Sequence, residues 1–312
     1  LSTIGFSERM MLLIREVLER VRVDFPDDLM ILSMVSEFED REYLESLKYL
    51  VIEDPNRAIR AISALVGFGR SFVRTDTGPL PGLHAEAIAP PQRALSELEA
   101  GDILAKAGLP MAPGRLAQSA DDAARAAMEV GYPVVMKIVS PDIQHKSDIG
   151  GVKLNLKTVD EVRAGYQAIM AGVGQHAPGA AIDGILVAPM ITGGVETMLG
   201  VHRDPVFGPV VLFGLGGIFV EVLKDVTFRI APFGLEEAHR MIDEVRGRAM
   251  LDGVRGQPAA DVDALAQALS QLSVYAAAHG DVIESIDINP FLVKAKGEGA
   301  IAVDALILTR ED

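Results

Sequence analysis

Residues 132–156 read YPVVMKIVSPDIQHKSDIGGVKLNL, and this stretch decides how the chain can fold. It opens with an apolar run typical of a buried strand and closes with an alternating run, VKLNL, typical of a half-buried strand. Between them lies a polar loop with a histidine, a lysine, two aspartates and a Gly-Gly pair. We therefore expect strand, loop and strand within a domain of mixed strands and helices.

The loop carries groups that could bind phosphate. Lys137 stands near the end of the first strand, His145 lies eight residues later, and Gly150 and Gly151 follow. Lysines neutralise phosphate charge, and glycines let backbone N–H groups approach an anion closely. The stretch matches neither a Walker A motif nor a GxGxxG fingerprint. A solvated loop with a lysine at the rim of the sheet remains an alternative interpretation.

Two regions flank this stretch. Residues 1–73 alternate helices and short strands, which favours a parallel, flavodoxin-like arrangement, but two full strands make only the back half of such a domain. Residues 75–91, TDTGPLPGLHAEAIAPP, are proline-rich and lack periodicity, as in a linker. The remaining chain mixes strands and helices in an α+β domain of two lobes. The boundaries we predict are 1–74, a linker at 75–93 and 94–312.

A second set of polar residues lies near the C-terminus, in SIDINPFLV and AIAVDALIL. Asp287 and Asn289 are two residues apart, so both side chains lie on one face if the segment is a strand. Asp304 ends the next strand-like run at a distance that suits a hairpin return. These oxygen ligands are the kind that Mg²⁺ prefers when it bridges nucleotide phosphates. An alternative explains them equally well: Asp287 and Asn289 form a polar strand end before a proline turn, and Asp304 is a cap.

Two further acids stand in apolar surroundings. Glu221 follows the glycine-dense stretch FGLGGIFV, and such glycines usually mark a bulge or the close approach of a ligand or backbone. Glu196 is a lone acid in the apolar strand VETMLGV. It either lies at an exposed edge or pairs with a lysine or a ligand hydroxyl group.

Composition excludes several classes of function. The formal charge of −15 argues against a surface that binds nucleic acid. The chain has no cysteine, so it offers neither disulfides nor a thiolate metal site, and an intracellular, cytoplasmic location fits. Its apolar runs are shorter than the ~20 residues that cross a bilayer, so we expect no membrane association. A hydrophobic content of 49% is enough for a sizeable core.

The motifs together resemble a known family. The segments YPVVMKIVSPDIQHKSDIGGVKLNL, DPVFGPVVLFGLGGIFVEVLKDVTFRIAP, GVRG and IDINPFLV…AIAVDALI look like the ATP-grasp domain of ADP-forming acyl-CoA synthetases, relatives of succinyl-CoA synthetase. The resemblance covers about residue 94 to the C-terminus. Residues 1–73 more loosely resemble the end of the flavodoxin-like ligase subdomain that precedes this domain in fused members.

The resemblance implies a site that uses ATP/ADP and Mg²⁺. In it a histidine, His145, accepts a phosphoryl group, which suits the nucleophilic neutral imidazole. Asn289 and Asp304 match the Mg²⁺ ligands, and Asp287 matches an acid beside the reacting phosphate or histidine. Glu221 is taken as a further catalytic acid. Residues matched to nucleotide binding are Lys137, Gly150 and Gly151 for phosphates, Glu196 near the ribose, and Val187, Ala188, Pro189 and Met190 against adenine.

One departure limits what the chain can do alone. Family members use a second histidine, in a ligase subdomain, at the CoA site. The other histidines here lie in no ligase-type motif and are expected at the surface or in the linker; they are His84, His176, His202, His239 and His279. The CoA-binding Rossmann domain is also absent from this sequence. The chain is thus expected to be an acid–thiol ligase that is incomplete without a CoA-binding and ligase subunit or segment.

The expected reaction joins a carboxylic acid and CoA while ATP yields ADP and phosphate, in an oligomer. Two other functions remain. The domain could be a regulatory or scaffold module, as in acyl-CoA synthetase-like protein acetyltransferases, although retention of His145 with metal ligands favours activity. It could also be a carboxylate–amine ligase, which would use an acyl phosphate directly and would not need His145.

Overall fold

The computed structural model describes residues 8–35, 37–73, 78–143, 146–217, 224–254, 256 and 258–310. The chain divides into two compact units, Leu1–Asp76 and Thr77–Asp312. No helix within the described residues is long and apolar enough to cross a membrane.

The first unit contains a small parallel sheet, as the alternation of helices and strands predicts. Its elements are α1 (Glu8–Asp24), β1 (Met30–Leu32), α2 (Phe38–Ser46), β2 (Tyr49–Val51) and α3 (Pro55–Val73). Strands β1 and β2 pair in parallel, with Ile31 opposite Leu50. Leu44, Tyr49 and Val51 form the buried core. The helix α3 begins at Pro55, a residue that suits a first helical position because it lacks an N–H group.

The first strand is shorter than the pattern suggests. The apolar run at residues 29–35 predicts a buried strand, but only Met30–Leu32 are extended and all three are half-buried. The prediction was wrong in length because a two-stranded sheet offers few partners to pair with and little core in which to bury apolar residues. Ser7, the predicted cap of α1, lies outside the described residues.

The second unit begins with an irregular segment that is not a free linker. Residues 78–96 contain no helix or strand. His84 is exposed, as expected. Ala87 and Leu95 pack against the core of this unit, and the hydroxyl group of Tyr275 donates a hydrogen bond to the carbonyl of Ile88 (3.0 Å). The structure thus differs from the expectation of a plain linker, because apolar contacts hold this part of it against the second unit.

The small lobe consists of a four-stranded antiparallel sheet with two helices. The strand order is β3-β6-β4-β5. Helices α5 and α6 pack on the sheet and on each other. Ser119 caps α5 by accepting a hydrogen bond from the amide of Asp122 (3.1 Å), as its position predicts. The elements are β3 (Arg115–Ala117), α5 (Ala120–Val130), β4 (Val134–Val139), β5 (Val152–Leu156), α6 (Val159–His176) and β6 (Gly184–Pro189).

The large lobe consists of a six-stranded antiparallel sheet covered by helices. The strand order is β11-β10-β7-β8-β9, with β12 also paired to β10. Its elements are β7 (Val195–Asp204), β8 (Gly208–Leu215), β9 (Val226–Ile230), α7 (Leu235–Asp243), a 3₁₀ helix (Arg246–Asp252), α8 (Val262–Ala278), β10 (Ile283–Val293), β11 (Ala300–Ala302) and β12 (Ala305–Thr309). The two-lobed α+β architecture expected from the sequence is confirmed.

Helix α4 (Glu97–Lys106) precedes the small lobe in sequence but packs with the large one. Its buried residues Ala100, Ile103 and Leu104 belong to the large-lobe core, and the helix contacts β12. A capping box fixes its start: Ser96 accepts from the amide of Glu99, and the Glu99 carboxylate accepts from the amide of Ser96. The first turn of α4 is therefore a rigid part of the large lobe.

Candidate functional site

Four charged side chains meet where the two lobes face each other. The Nζ atom of Lys137 lies 2.8 Å from Oε1 of Glu97 and 3.1 Å from Oδ2 of Asp304. The Nζ atom of Lys146 lies 2.6 Å from Oε2 of Glu97. Positive and negative groups therefore alternate from Lys146 through Glu97 and Lys137 to Asp304.

The lobes contribute opposite charges to this cluster. Lys137 is on β4 and Lys146 follows it on the β4–β5 loop, so both lysines belong to the small lobe. Glu97 is the first residue of α4, and Asp304 lies between β11 and β12. The side chain of Glu97 is only 8% exposed and that of Lys137 is 15% exposed. The ion pairs are therefore shielded better than those at a protein surface.

The pKa values reflect burial opposed by pairing. Burial disfavours the Glu97 carboxylate, but the ammonium groups of Lys137 and Lys146 outweigh it and hold the pKa of Glu97 below its ordinary value. Burial likewise disfavours charged Lys137, yet Asp304 and Glu97 raise the pKa of that lysine. For Asp304, burial and the nearby Glu97 prevail over Lys137 and raise the pKa to about 6. Lys137 thus stays protonated at neutral pH, and of the two carboxyl groups Asp304 gives up its proton less readily than Glu97.

The β4–β5 loop is fixed on both sides of the expected carrier. Before it, Ile143 is buried in the small-lobe core, and the Asp142 carboxylate accepts from the amide of Ala181 (2.7 Å). After it, the amide of Gly151 donates to the carbonyl of Lys146 (2.8 Å). His145 itself lies outside the described residues.

The Gly-Gly pair closes this loop through its own backbone amides. The amide of Gly150 donates to the carbonyl of Ser147 (3.1 Å), and that of Gly151 to Lys146. Gly150 has a φ of +70°, and a Cβ atom on Gly151 would lie 2.7 Å from Cγ2 of Ile138. Backbone geometry at Gly150 and close packing at Gly151 thus require glycine, and the binding of phosphate by this pair stays a prediction.

The predicted metal-binding residues are brought together by strand pairing. Ile288 of β10 lies opposite Ala305 of β12, and the amide of Val303 donates to the carbonyl of Pro290 (3.0 Å). The residues between these contacts, Asn289 and Asp304, therefore lie opposite each other. This is the arrangement that a hairpin return between the two segments predicts.

Asp287 and Glu196 share one face of the large-lobe sheet. Asp287 pairs with Gly200, and Glu196 lies four residues earlier on the same strand, β7. The other face of this sheet, with Leu199 and Ile288, belongs to the core under α7 and α8. Asp287, Glu196 and Asn289 are exposed. The polar face is thus the one left open for a ligand.

A cavity of about 860 Å³ adjoins one end of this sheet. It is lined by Glu196, by the glycines Gly193, Gly194 and Gly216, and by Lys294, among others. The volume suits a nucleotide-sized ligand. Lys137, Asp287, Asn289 and Asp304 are not among its lining residues, so the cavity and the charged cluster are separate features.

The segment predicted to contact adenine lies on β6 and just beyond it. Val187 is fully buried in the small-lobe core, and Ala188 and Pro189 are half-buried. Met190 follows the strand, and its amide donates to the carbonyl of Pro133 (2.8 Å). The side chain of Val187 is therefore not available to a ligand. Glu221 lies outside the described residues.

The oxygen donors of Asn289 and Asp304 fit a magnesium ion. Mg²⁺ in nucleotide sites is held by one or two protein ligands, with phosphates and water completing its shell. Across the described ranges of the chain, no group of three or more His, Cys, Asp or Glu side chains is arranged to bind a metal ion. Two oxygen ligands are the kind of donor set that suits an ion arriving with a nucleotide.

Sequence reasoning missed Glu97 and misplaced one histidine. Glu97 reads as an ordinary acid in a first helical turn, where acids are common, and nothing local links it to two distant lysines.

His279, expected at the surface, is half-buried at the end of α8, where it packs edge-on against Tyr275. Burial lowers the pKa of His279. It lies there because α8 ends against the core.

Residues 86–308 match the ATP-grasp domain family. The chain is 43% identical to the acetate–CoA ligase (ADP-forming) II subunit beta of Pyrococcus furiosus, over 72% of this chain and 95% of that protein. It is 40% identical to the acetate–CoA ligase (ADP-forming) I of Archaeoglobus fulgidus over 83% of this chain, but spans only 38% of that longer protein.

Two solved structures of acetyl-coenzyme A synthetase 1 from Ca. Korarchaeum cryptofilum are also similar. The first, in complex with coenzyme A and Ca-AMPCP, has a TM-score of 0.67 and 43% identity and covers 70% of this chain and 94% of that one. The second contains coenzyme A and Mg-AMPPCP, with its phosphohistidine segment pointing towards the nucleotide binding site. Its TM-score is 0.61 with 39% identity, over 70% and 93% of the two chains.

Proposed function

This chain belongs to the ATP-grasp family, and we propose that it is the nucleotide-binding part of an ADP-forming acyl-CoA synthetase in which His145 carries a phosphoryl group. Its relatives named above are acid–thiol ligases that form ADP. The observation that carries the proposal is the cross-lobe cluster. In this cluster Lys137 contacts the candidate metal ligand Asp304. Glu97 contacts both Lys137 and Lys146, the residue after His145, and so holds the two lysines together.

The lysines and the histidine supply the chemistry of transfer. A neutral ring nitrogen of His145 bonds to the γ-phosphorus of ATP as the bond from that phosphorus to the β,γ-bridging oxygen breaks, and the electron pair leaves with ADP. Lys137 and Lys146 neutralise phosphate charge during this step. Asp287, on the open face of the sheet, accepts a hydrogen bond from the other ring nitrogen and orients the imidazole. Glu221 is assigned to the same step as a second acid.

The remaining predicted residues bind the nucleotide. Asn289 and Asp304 would hold Mg²⁺, which would supply charge neutralisation to the phosphates when bound. Glu196 accepts a hydrogen bond from a ribose hydroxyl group, and the backbone of residues 187–190, with the side chain of Met190, contacts adenine. Gly150 and Gly151 act through the shape of the loop, since both their amides are used within it.

The second half of the reaction needs a partner. We infer that a CoA-binding and ligase part, either another subunit or another segment, receives the phosphoryl group from His145 and uses it to join a carboxylic acid to CoA, releasing phosphate. The relative from Archaeoglobus fulgidus is a longer chain, of which the present one spans 38%. This supports a fused arrangement. The relative from Pyrococcus furiosus is named as a subunit, and it supports an assembly of separate chains.

Labelling with γ-phosphate-labelled ATP and Mg²⁺ tests the proposal. We expect label on the protein that is labile in acid and stable in base, as phosphohistidine is. It should be absent from His145→Ala and retained in His176→Ala, which removes an exposed histidine at the end of α6. Equal labelling of His145→Ala, or no labelling of the wild-type chain supplied with its CoA-binding partner, would overturn the carrier role.

A further inference from the structure

We propose that Glu97 is a positioning residue: its single carboxylate binds Lys137 and Lys146 together and thereby anchors the C-terminal side of the His145 loop to the large lobe. The importance of this anchor for phosphoryl transfer rests on the proposed function, whereas the anchor itself can be measured without a nucleotide.

The geometry of the carboxylate supports a shared contact. Oε1 of Glu97 lies 2.8 Å from Nζ of Lys137, and Oε2 lies 2.6 Å from Nζ of Lys146. Each oxygen thus accepts one charge-assisted hydrogen bond at a distance typical of strong pairs. Glu97 is 8% exposed and Lys146 is 24% exposed, so water competes poorly for these contacts. Without a partner, a carboxylate this buried would carry a large desolvation cost.

Glu97 is a suitable fixed point. It is the first residue of α4, whose start is held by the Ser96–Glu99 capping box. Two turns of the same helix are locked in the large-lobe core through Ala100 and Leu104, both fully buried. An acid at this end of a helix is also favoured by the helix dipole. The carboxylate therefore has a defined position before either lysine contacts it.

The loop contacts on the two sides of residues 144 and 145 differ in kind. On the N-terminal side, Ile143 and Asp142 bind to the small lobe, through burial and through the amide of Ala181. On the C-terminal side, the Lys146 ammonium group binds to Glu97, which is carried by the large lobe. Loss of Glu97 would leave the loop attached to the small lobe but release its link to the large lobe. Because this contact is ionic, another anion could take the place of the Glu97 carboxylate beside Lys146.

Because Glu97 contacts both lysines, it also sets the net charge beside Lys137, the lysine proposed to bind phosphate. Lys137 and Lys146 carry two positive charges and Glu97 removes one. Asp304 offsets the other only while it pairs with Lys137, so the lysines keep a net positive charge for phosphate oxygens once that pair is broken. In the absence of Glu97, two ammonium groups would repel each other and Lys146 would move away from Lys137. Because Glu97 contacts the lysines and not the reacting atoms, its role is positioning.

Hydrogen–deuterium exchange on the nucleotide-free 312-residue chain tests the anchor. The amides of Gly150 and Gly151 are protected by hydrogen bonds to Ser147 and Lys146 and report on closure of the loop. In Glu97→Gln and in Lys146→Met we expect exchange of these amides to be about fivefold to tenfold faster than in wild type. Because both changes break the same contact, the double variant should be no faster than either single one.

Matched variants separate the anchor from general damage. Asp102→Asn alters an exposed acid of the same helix without touching either lysine, and Lys157→Met removes an exposed lysine beyond β5. Both should exchange at Gly150 and Gly151 as wild type does. If Glu97→Gln does not fold, Lys146→Met breaks the contact from the exposed loop instead. Wild-type exchange in Lys146→Met, or a double variant whose acceleration is the product of the single effects, would overturn the anchor.

Labelling kinetics then connect the anchor to phosphoryl transfer. With labelled ATP, Glu97→Gln should lower the rate of phosphohistidine formation at saturating ATP about tenfold, with a smaller change in the ATP concentration that gives half the rate. Partial recovery in Glu97→Asp, which keeps the charge, would support positioning. An unchanged rate in Glu97→Gln would refute the link to transfer. Absence of label in the wild-type chain with its partner would instead refute the carrier function and leave the exchange result standing.

Discussion

The Nζ atom of Lys137 lies 3.1 Å from Oδ2 of Asp304, a residue 167 positions later in the chain. This contact joins the small lobe to the large lobe at the point where the proposed magnesium ion and the nucleotide phosphates would meet. A metal ion on Asp304 would compete with the ammonium group for the same oxygen. We therefore expect binding of a magnesium nucleotide to release Lys137 from Asp304 and make it available to phosphate.

Replacement of Lys137 should weaken nucleotide binding. Lys137→Met removes a charge-assisted contact to phosphate, which is worth about 1.5–3 kcal/mol, so the dissociation constant for ATP should rise about tenfold to a hundredfold. Isothermal titration calorimetry with magnesium ATP provides the measurement. Lys157→Met, which removes an exposed lysine, should bind as wild type does. Unchanged affinity in Lys137→Met would remove this residue from the phosphate site.

Replacement of Asp304 should change the magnesium requirement. Asp304→Asn keeps the size of the side chain but removes the negative charge that a hard cation prefers, so the Mg²⁺ concentration for half-maximal labelling should rise about tenfold. A magnesium titration of phosphohistidine formation at fixed ATP measures this. Asp281→Asn, at an exposed acid before β10, serves as the control. The same magnesium requirement in Asp304→Asn and wild type would argue against metal binding by Asp304.

Glycine at position 151 should be essential for packing of the loop. In Gly151→Ala the new methyl group would lie 2.7 Å from Cγ2 of Ile138 and 2.8 Å from the Lys146 carbonyl oxygen, so we expect a loss of about 1–3 kcal/mol in the free energy of unfolding. Urea denaturation gives the value. Gly174→Ala, on the exposed side of α6 with open space around it, should instead gain about 0.5–1 kcal/mol. Equal stability of the two variants would contradict the steric explanation.

The start of α4 should make stability depend on pH. The hydrogen bond from Arg93, with further bonds from Ser96, lowers the pKa of Glu99 to about 2 from 4.5. A carboxyl group with a lowered pKa in the folded state stabilises the protein above its unfolded pKa, and this contribution disappears as the pH falls from about 4.5 towards 2. Glu99→Gln cannot titrate, so its deficit relative to wild type should be largest near neutral pH and shrink below pH 4.5.

The size of this effect is limited by exposure. The Glu99 side chain is 41% exposed, and solvent screening should keep the deficit below about 1 kcal/mol. Urea unfolding of both proteins at pH 7 and at pH 3 measures it, with Glu298→Gln in the exposed turn after β10 as the control. A deficit that is equal at the two pH values would show that the Glu99 charge does not stabilise α4.

Much of the fold follows from patterns that extend over a few residues. The alternation in VETMLGVHRD predicts β7, and Ser119 predicts the start of α5, because strand faces and helix caps depend on neighbouring residues. The same logic places Asp287 and Asn289 on the exposed face of β10. Where partners for pairing are scarce, as at β1, the local pattern predicted too long a strand.

The chemical groups that this protein can offer are evident from its amino-acid sequence: lysines and glycines in one loop, and oxygen ligands on one strand face and at the return of a hairpin. Which of these groups meet depends on how the two lobes pack. Glu97 contacts Lys137 and Lys146 from 40 and 49 residues away, and Asp304 contacts Lys137 from 167 residues away. These contacts depend on α4 packing with the large lobe and on the lobes facing each other. No local pattern records such packing, because it results from burial of apolar surface summed over the whole domain.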